Sequence, residues 1–440
     1  MIILAAALVA GIASPPPFRS AMARPPVARP AQNDRGHRSG IHFLWGEHPS
    51  IRAGSALRVD FQGKLQWDRR RAGDDPAQFD EAELHRARIG IDGTVFRHLR
   101  FSVERELTER ESEQRRSFRG APSTAWKDAY VELDYSNAAR VRFGKFKVPF
   151  GLDQLTGIAH LDFIQRSLGG TYLAPGRDTG AMVHGRLFRR RLEYAAGFFR
   201  QDGENARSSK VAGGDATGAV RVTAQPFRGR KNVLADLEIG SAFTSSTLSD
   251  ASPLPNGLRG RTTMSRFVFF EPVFVNGTRR RFEIDGDWPV GPAGIRAEYT
   301  DVRDSRDGQG LVDQTLPPAR ARSAYVAGSV VLTGEQKRRP VKPDAEFGRG
   351  GRGAVELVGR IERLWFDSTG MTRDGLRNPR AETIFPSGDR IVTFGINWYA
   401  NRWSKLQLQG SRERLEDIER SPVADGSAFW NALLRLQLTV

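Results

Sequence analysis

Arginine side chains are concentrated on one face of short segments in which apolar and polar residues alternate. In Leu57–Asp68, most odd positions are apolar and every even position is polar or charged. Successive side chains of a strand point to opposite faces, so each such segment predicts a strand with one polar face. Guanidinium groups pair with oxyanions through two parallel hydrogen bonds, which makes these arginines candidate anion ligands. They are Arg58, Arg86, Arg88, Arg100, Arg142, Arg186, Arg221, Arg296, Arg360 and Arg435.

Acidic residues are interleaved with these arginines; Asp60, Asp92, Glu104 and Glu132 are examples. The opposite charges could simply pair with one another. If the strands close into a barrel, however, all of these groups line one narrow, water-filled lumen. A low-dielectric wall then focuses their summed field, so an excess of positive charge attracts anions and repels cations.

The composition limits the class of protein. The 440 residues carry a formal net charge of +16, which favours an anionic partner such as a nucleic acid, a membrane surface or small anions. The absence of cysteine excludes disulfides and thiolate metal sites. The mean hydropathy is −0.47. The sequence contains no run of about eighteen apolar residues, so we do not expect a transmembrane helix. A membrane barrel is compatible with these values because its alternating strands average to a polar composition.

The N-terminal residues have the features of a targeting segment. Ile2–Ile12 is apolar, and Ala21–Ala23 fits the small-x-small pattern that precedes a cleavage site. We therefore expect a signal peptide at residues 1–23 and a mobile lead-in, rich in Pro and Arg, at residues 24–53. The folded domain is expected at residues 54–440.

The rest of the chain predicts an all-β fold. It contains about seventeen alternating segments, each near the ~9–11 residues that a tilted strand needs to cross a bilayer. Bacterial barrels have an even number of strands, and Pro272 identifies Arg266–Val275 as a loop. Short connections such as Phe188–Arg191 alternate with long ones such as Thr300–Arg322 and Gly334–Gly353, as in outer-membrane barrels. The sequence thus predicts a transmembrane antiparallel β-barrel of about sixteen strands.

Other classes of protein have less support. A barrel enzyme such as a lipase or protease would need a nucleophile or metal motif, and neither Gly-x-Ser-x-Gly nor His-Glu-x-x-His occurs. We therefore expect no catalytic residue, no metal site and no cofactor. The tract Gly348–Gly353 is similar to RNA-binding Arg-Gly tracts, but one short copy favours a flexible loop. A general porin and a soluble basic nucleic-acid-binding protein are the alternatives.

The region Ala139–Gly185 favours one class of protein over these alternatives. It contains a strand, then "GKFKVPFGL", "RSL" and "APGRDTG" in that order. This order resembles the phosphate-selective porin family (porin O and P type), outer-membrane channels for phosphate and polyphosphate. The stretch "LHRARIGIDG" (Leu84–Gly93) resembles an Arg-rich strand of the family, and "GINWYANRWSKLQLQ" (Gly395–Gln409) resembles its penultimate hairpin. With the terminal strand, the resemblance covers about residues 54–440.

The resemblance implies a sixteen-stranded barrel in the lipid of the bacterial outer membrane, assembled as a homotrimer. A loop after an early strand would fold into the lumen and form a constriction for inorganic phosphate or other small anions, with no role for nucleic acid. Two lysines would start this segment, two arginines would lie along it and two would face them from the wall. These six residues are Lys145, Lys147, Arg166, Arg177, Arg86 and Arg88.

Two positions depart from the family pattern. His85 occupies the place of the first arginine of a pair, and Val440 stands where outer-membrane barrels commonly have a terminal aromatic residue. These departures concern the family pattern for phosphate. A general preference for anions is therefore the broader expectation, and phosphate specificity is the narrower one. Selectivity requires binding that is firm enough to admit the ion and weak enough to release it.

Overall fold

The computed structural model describes residues 40–45, 48–73, 80–108, 125–205, 216–248, 254–264, 267–368, 375–423 and 426–440. The predicted signal peptide and residues 24–39 of the predicted lead-in lie outside these ranges. Within them, no helix is long and apolar enough to cross a membrane.

Sixteen antiparallel strands form the wall of a closed barrel. Each wall strand pairs with the next one along the chain, and the last strand returns to pair with the first. The predicted barrel of about sixteen strands is therefore confirmed. The wall strands are β3 (Leu57–Ala72), β4 (Asp80–Val95), β5 (Leu99–Glu106), β6 (Trp126–Leu133), β7 (Arg140–Lys147), β8 (Arg177–Leu187), β9 (Leu192–Phe199), β10 (Thr217–Ala224), β11 (Glu238–Leu248), β14 (Gly277–Val290), β15 (Ala293–Arg306), β16 (Leu316–Val331), β17 (Ala354–Ser368), β18 (Ser387–Tyr399), β19 (Ser404–Leu415) and β20 (Ala428–Thr439).

The remaining elements of the described ranges are short. Two hairpins lie outside the wall, and five helical turns occur in connections. The hairpin strands are β1 (Ile41–Trp45) with β2 (Pro49–Ala53), and β12 (Gly260–Arg261) with β13 (Val268–Phe270). The helical turns are Leu152–Leu155, Ile158–His160, Leu168–Tyr172, Phe188–Arg190 and Ile418–Arg420.

The alternation in the sequence sets the orientation of each wall strand. In β3, the side chains of Gln66, Asp68 and Arg70 are almost completely buried inside the barrel, whereas Leu65 is 42% exposed on the outside. The apolar face is thus the outer face, as expected for strands surrounded by lipid. The polar face, which carries the arginines, lines the interior.

Antiparallel strands place their connections alternately at two rims. The short-turn rim includes the turns after β4, β14 and β18, whereas the long-loop rim includes the connections after β7 and β11. The segment Thr300–Arg322, predicted as a long connection, is mostly strand, because β15 extends to Arg306 and β16 begins at Leu316. Gly334–Gly353 is a long connection but belongs to the short-turn rim, so the predicted asymmetry is wrong there.

The hairpins outside the wall bear on two expectations. Within the predicted loop Arg266–Val275, β13 pairs only with β12, so the prediction that this segment is not a wall strand is confirmed. The β1–β2 hairpin lies in the predicted lead-in, and β2 pairs with β3 between Ser50 and Ala53. The sheet therefore begins at Ile41 rather than at residue 54, because β20 leaves this part of the β3 edge available for pairing.

Candidate functional site

The connection between β7 and β8, residues 148–176, lies inside the barrel and is called the inner loop here. Its Asp162 carbonyl accepts hydrogen bonds from Asn397 Nδ2 at 2.8 Å and Gln407 Nε2 at 3.2 Å. Lys405 Nζ donates to the Leu161 carbonyl at 2.8 Å. Because these partners belong to β18 and β19, the inner loop lies against one side of the wall. The predicted loop folded into the lumen is thus present.

Three further bonds fix the inner loop on neighbouring strands. The Asp153 amide donates to Glu298 Oε2 at 2.9 Å, and the Leu168 amide donates to Glu362 Oε2 at 2.7 Å. Arg281 Nε donates to the Leu173 carbonyl at 2.9 Å. Buried carboxylates thereby accept from loop amides that would otherwise lack partners, which stabilises one conformation of the loop.

A second connection, residues 332–353 at the short-turn rim, also enters the lumen and is called the buttress loop here. Its Lys337 Nζ lies 2.7 Å from Asp162 Oδ1 and also contacts Glu356. Arg339 bridges Asp162 at 3.1 Å and Asp287 at 2.7 Å. Burial alone would raise the pKa of Asp162, but Lys337 and Arg339 outweigh burial and hold that pKa well below its usual range. The buttress loop therefore supports the inner loop from the short-turn side.

Two cavities remain beside the inner loop. One, of about 590 Å³, is reached from the short-turn rim and is bounded by strands from β3 to β10. The other, of about 340 Å³, lies towards the long-loop rim. Both are lined by Arg88, Ile158 and Arg177. These three residues therefore mark the junction between the cavities.

The six predicted constriction residues are distributed around this junction. Arg88 and Arg177 lie at it, Lys147 lines only the short-turn cavity, and Arg86 and Arg166 line only the long-loop cavity. Lys145 lines neither cavity; its Nζ donates to the Trp126 carbonyl at 2.8 Å and lies 3.4 Å from Glu204. Its partner Glu204 lines the long-loop cavity, so Lys145 lies behind that lining rather than in it.

The two junction arginines are fixed by carboxylates. Arg88 Nε donates to Glu106 Oε2 at 2.6 Å, and its Nη1 donates to Glu104 Oε1 at 3.1 Å. Arg177 donates to both oxygens of Asp128, at 3.0 and 3.1 Å. These pairs hold the guanidinium groups in place, but they also neutralise part of the positive charge at the junction.

Lys147 and Arg166 are held differently. Lys147 Nζ donates to the carbonyls of Gln154, Leu155 and Thr156 at 2.7, 3.1 and 3.1 Å. Arg166 donates to the carbonyls of Asp153 and Thr156. An ammonium group has three donors, so Lys147 has none left for an ion in this arrangement. Neither side chain forms an ion pair with a carboxylate of the described residues. Both therefore fix the inner loop through backbone carbonyls.

The eight predicted lumen-lining arginines also divide between locations. Arg100, Arg142, Arg186 and Arg221 line the short-turn cavity, and Arg435 lines the long-loop cavity. The other three line neither cavity. Arg58 is exposed and pairs with Asp60, Arg296 pairs with Asp287, and Arg360 lies under the inner loop and donates to the Gln165 carbonyl.

Basic residues outnumber acidic ones in both linings. Nine basic and four acidic residues line the short-turn cavity, while eight basic and one acidic residue of the described chain line the long-loop cavity. Some partner acids, including Asp68 and Glu106, lie behind the lining rather than in it. The positive groups are thus closer to the cavities than these balancing charges.

Five basic residues of the cavity linings were not predicted from the sequence: Lys64, Arg70, Arg140, Arg259 and Arg261. Lys64 and Arg70 lie on the polar face of β3, so the alternation of that strand could have identified them. Arg259 and Arg261 lie in the connection between β11 and β14, which has no regular alternation to reveal them. Among the described residues, Arg261 forms no ion pair, and its buried Nε has no hydrogen-bond partner.

His85 lines the long-loop cavity. Its Nδ1 lies 2.5 Å from Arg70 Nη2 and 3.3 Å from Glu83 Oε1. The guanidinium of Arg70 therefore lies beside His85 in the lining of this cavity. In the described part of the chain, no group of three or more histidine and carboxylate side chains could hold a metal ion.

Comparison with known proteins identifies the family. The family model described as "Phosphate-selective porin O and P" matches residues 59–439. The chain belongs to this porin family. Family membership and the barrel place the porin in the bacterial outer membrane and indicate a channel rather than an enzyme. No curated protein matches the sequence.

Solved structures support the fold of the porin. In-vitro folded OmpT of Vibrio cholerae is 14% identical, with a TM-score of 0.53, and the match covers 88% of this chain and 99% of that one. The anion-selective porin from Comamonas acidovorans is 13% identical, with a TM-score of 0.52 and coverage of 87% and 100%. The Acinetobacter baumannii channel DcaP is 10% identical, with a TM-score of 0.52 and coverage of 88% and 98%.

Proposed function

We propose that this porin is a passive outer-membrane channel that prefers small anions to cations. The observation that carries the proposal is the meeting of two cavities, both richer in basic than acidic residues, at Arg88 and Arg177. An anion entering either cavity is attracted by the excess positive charge, whereas a cation is repelled. The description of a Comamonas acidovorans neighbour as anion-selective agrees with this preference.

The arrangement of donors suits passage rather than tight capture. Arg88 and Arg177 share their hydrogen bonds with carboxylates, so an anion can form only part of the contacts that a free guanidinium offers. Lys147 and Arg166 offer fewer direct contacts, because backbone carbonyls accept from all three donors of Lys147 and from two nitrogens of Arg166. Attraction without full coordination allows an ion to enter and to leave again.

Phosphate or polyphosphate is the substrate class that we propose within this preference, on the basis of the family description. A general porin is the second candidate, and the pairing of Arg177 with Asp128 favours it because that pair reduces the charge at the junction. Block of the chloride current by added phosphate separates the two. A phosphate-selective channel is blocked at phosphate concentrations that leave a general porin conducting.

We also propose that the porin forms homotrimers. Support comes from the family and from a Vibrio cholerae neighbour described as a trimer form. Native mass measurement in detergent is expected to give three copies of the mature chain. The mass of a single chain would contradict the trimer proposal and would leave the channel proposal unaffected.

Two matched charge reversals test the anion preference. Arg261→Glu changes a residue of the long-loop cavity that has no ion pair among the described residues, whereas Arg58→Glu changes an exposed arginine outside both cavities. Under a salt gradient across a planar bilayer, Arg261→Glu is expected to shift the zero-current potential towards cation preference. Arg58→Glu is expected to leave it nearly unchanged. Equal shifts, or none, would contradict the proposal that the charge of the cavity lining sets selectivity.

A further inference from the structure

The β1–β2 hairpin continues the outer face of the barrel. The register places Phe43 opposite Ile51, which in turn lies opposite Val59 of the wall. Trp45 lies opposite Pro49 in the same way, and Ile41 lies opposite Ala53. Val59 belongs to the apolar, outward face of β3. The odd-numbered residues of β1 therefore extend that apolar face beyond the barrel wall.

These side chains are strongly exposed. Ile41, Phe43 and Trp45 are 78%, 60% and 70% exposed, compared with 38% for Phe61 on the neighbouring wall strand. The hairpin lies where β20 no longer covers β3, since the β20 pairing stops at Lys64 and β2 pairs with the residues before it. It thus covers the last part of the closing seam at the short-turn rim, which in outer-membrane barrels is the periplasmic one.

We propose that the outer face of β1 binds phospholipid of the periplasmic leaflet, at the boundary between headgroups and acyl chains. Continuity with the lipid-facing surface of β3 supports this partner. Aromatic residues are enriched at this boundary in membrane proteins, and barrels carry aromatic girdles there. Phe43 and Trp45 supply aromatic groups of this kind at the short-turn rim.

The unpaired edge of β1 limits how deeply the hairpin can lie in the membrane. In the described structure β1 pairs only with β2, so one row of backbone groups lacks strand partners. Such an edge is not tolerated in the hydrocarbon core, but it can be hydrated at the headgroup level.

Pairing of β1 with a second copy of the chain agrees less well with the structure. The wall strands are already paired on both sides, so β1 would have to pair with β1 of another copy, and that produces two-fold rather than three-fold symmetry.

The absence of cysteine permits a direct test by site-directed spin labelling in phosphatidylcholine vesicles. Labels are placed on Phe43→Cys, Trp45→Cys and Leu44→Cys, the last on the opposite face of β1. Phe394→Cys on the outer wall serves as the lipid control, and Leu311→Cys, 88% exposed in a loop, serves as the water control. Each label is measured for collision with oxygen, which concentrates in lipid, and with a water-soluble nickel chelate.

The ratio of oxygen to nickel collisions is expected to be higher for labels at Phe43 and Trp45 than for the label at Leu44. It should fall between the ratios of the lipid and water controls. Equal ratios at all three β1 positions, close to that of the Leu311 label, would overturn the proposal. Protection from both reagents together with spin–spin broadening would also overturn it, since it would show contact with a second copy. Retained heat-modifiable migration on gels verifies that each variant is folded.

Discussion

Replacing Lys147 with methionine tests how the inner loop is held. The substitution keeps the unbranched stem but removes an ammonium group that donates to the carbonyls of Gln154, Leu155 and Thr156. Arg166 still holds the carbonyl of Thr156, and Asn397 and Gln407 still hold that of Asp162, so the loop should stay in the lumen. The segment around Leu152–Leu155 should, however, detach more often from the wall.

The expected size of the effect follows from the three lost bonds. A hydrogen bond to a charged group contributes about 1.5–3 kcal/mol, and three bonds made by one ammonium group do not add fully. A total loss of about 3 kcal/mol raises the population of the detached segment on the order of 100-fold, because each 1.4 kcal/mol is a factor of ten. The variant also loses a basic group from the lining of the short-turn cavity.

Single-channel recording in planar bilayers measures both consequences. Lys147→Met should show larger fluctuations of the open-channel current and a weaker anion preference than the wild type. Arg58→Met is the matched control, since Arg58 is exposed and its ion-pair partner in the described part of the chain is Asp60. A variant with quiet current and an unchanged zero-current potential would refute the reasoning that Lys147 both fixes the loop and supplies charge.

Further expectations concern the buttress loop and the fold. Lys337→Met removes contacts with Asp162 and Glu356 and should increase single-channel conductance; unchanged conductance would mean that the buttress loop does not narrow the lumen. The lowered pKa of Asp162 means that its stabilising charge is fully present above about pH 4 and is lost as pH falls further. The difference in current fluctuations between wild type and Asp162→Asn should therefore stay constant from about pH 8 to pH 5; a change within that range would contradict this assignment. Circular dichroism of the detergent-solubilised porin should be β-rich, whereas a helix-rich spectrum would contradict the barrel.

The wall of the barrel was predictable because strand alternation is a local property. In Leu57–Asp68, odd and even positions lie on opposite faces of the strand. The apolar face must be the outer one, because lipid surrounds the barrel. The β1–β2 hairpin was not anticipated. Its position depends on how far β20 extends along β3, and this register is a long-range property that no single segment encodes.

The candidate site was predictable in part. Arg88 followed from strand parity, and Arg177 followed from the family motif. Lys145 was expected beside them, but its ammonium group contacts Glu204 and the Trp126 carbonyl and lines neither cavity. The contacts of Lys147 with loop carbonyls depend on the folded path of the inner loop, and the same holds for the position of Arg261 in the connection after β11. Loop paths follow from tertiary packing, so residue type and spacing could not reveal them.

The zero-current potential of wild-type channels across a planar bilayer, under a potassium chloride gradient, tests the central claim most directly. Both cavities carry an excess of basic lining residues and meet at Arg88 and Arg177. The potential should therefore lie on the chloride side of zero, and it should approach zero as salt is raised and screening increases. A potential on the potassium side, or none at any salt concentration, would contradict the anion-preferring channel.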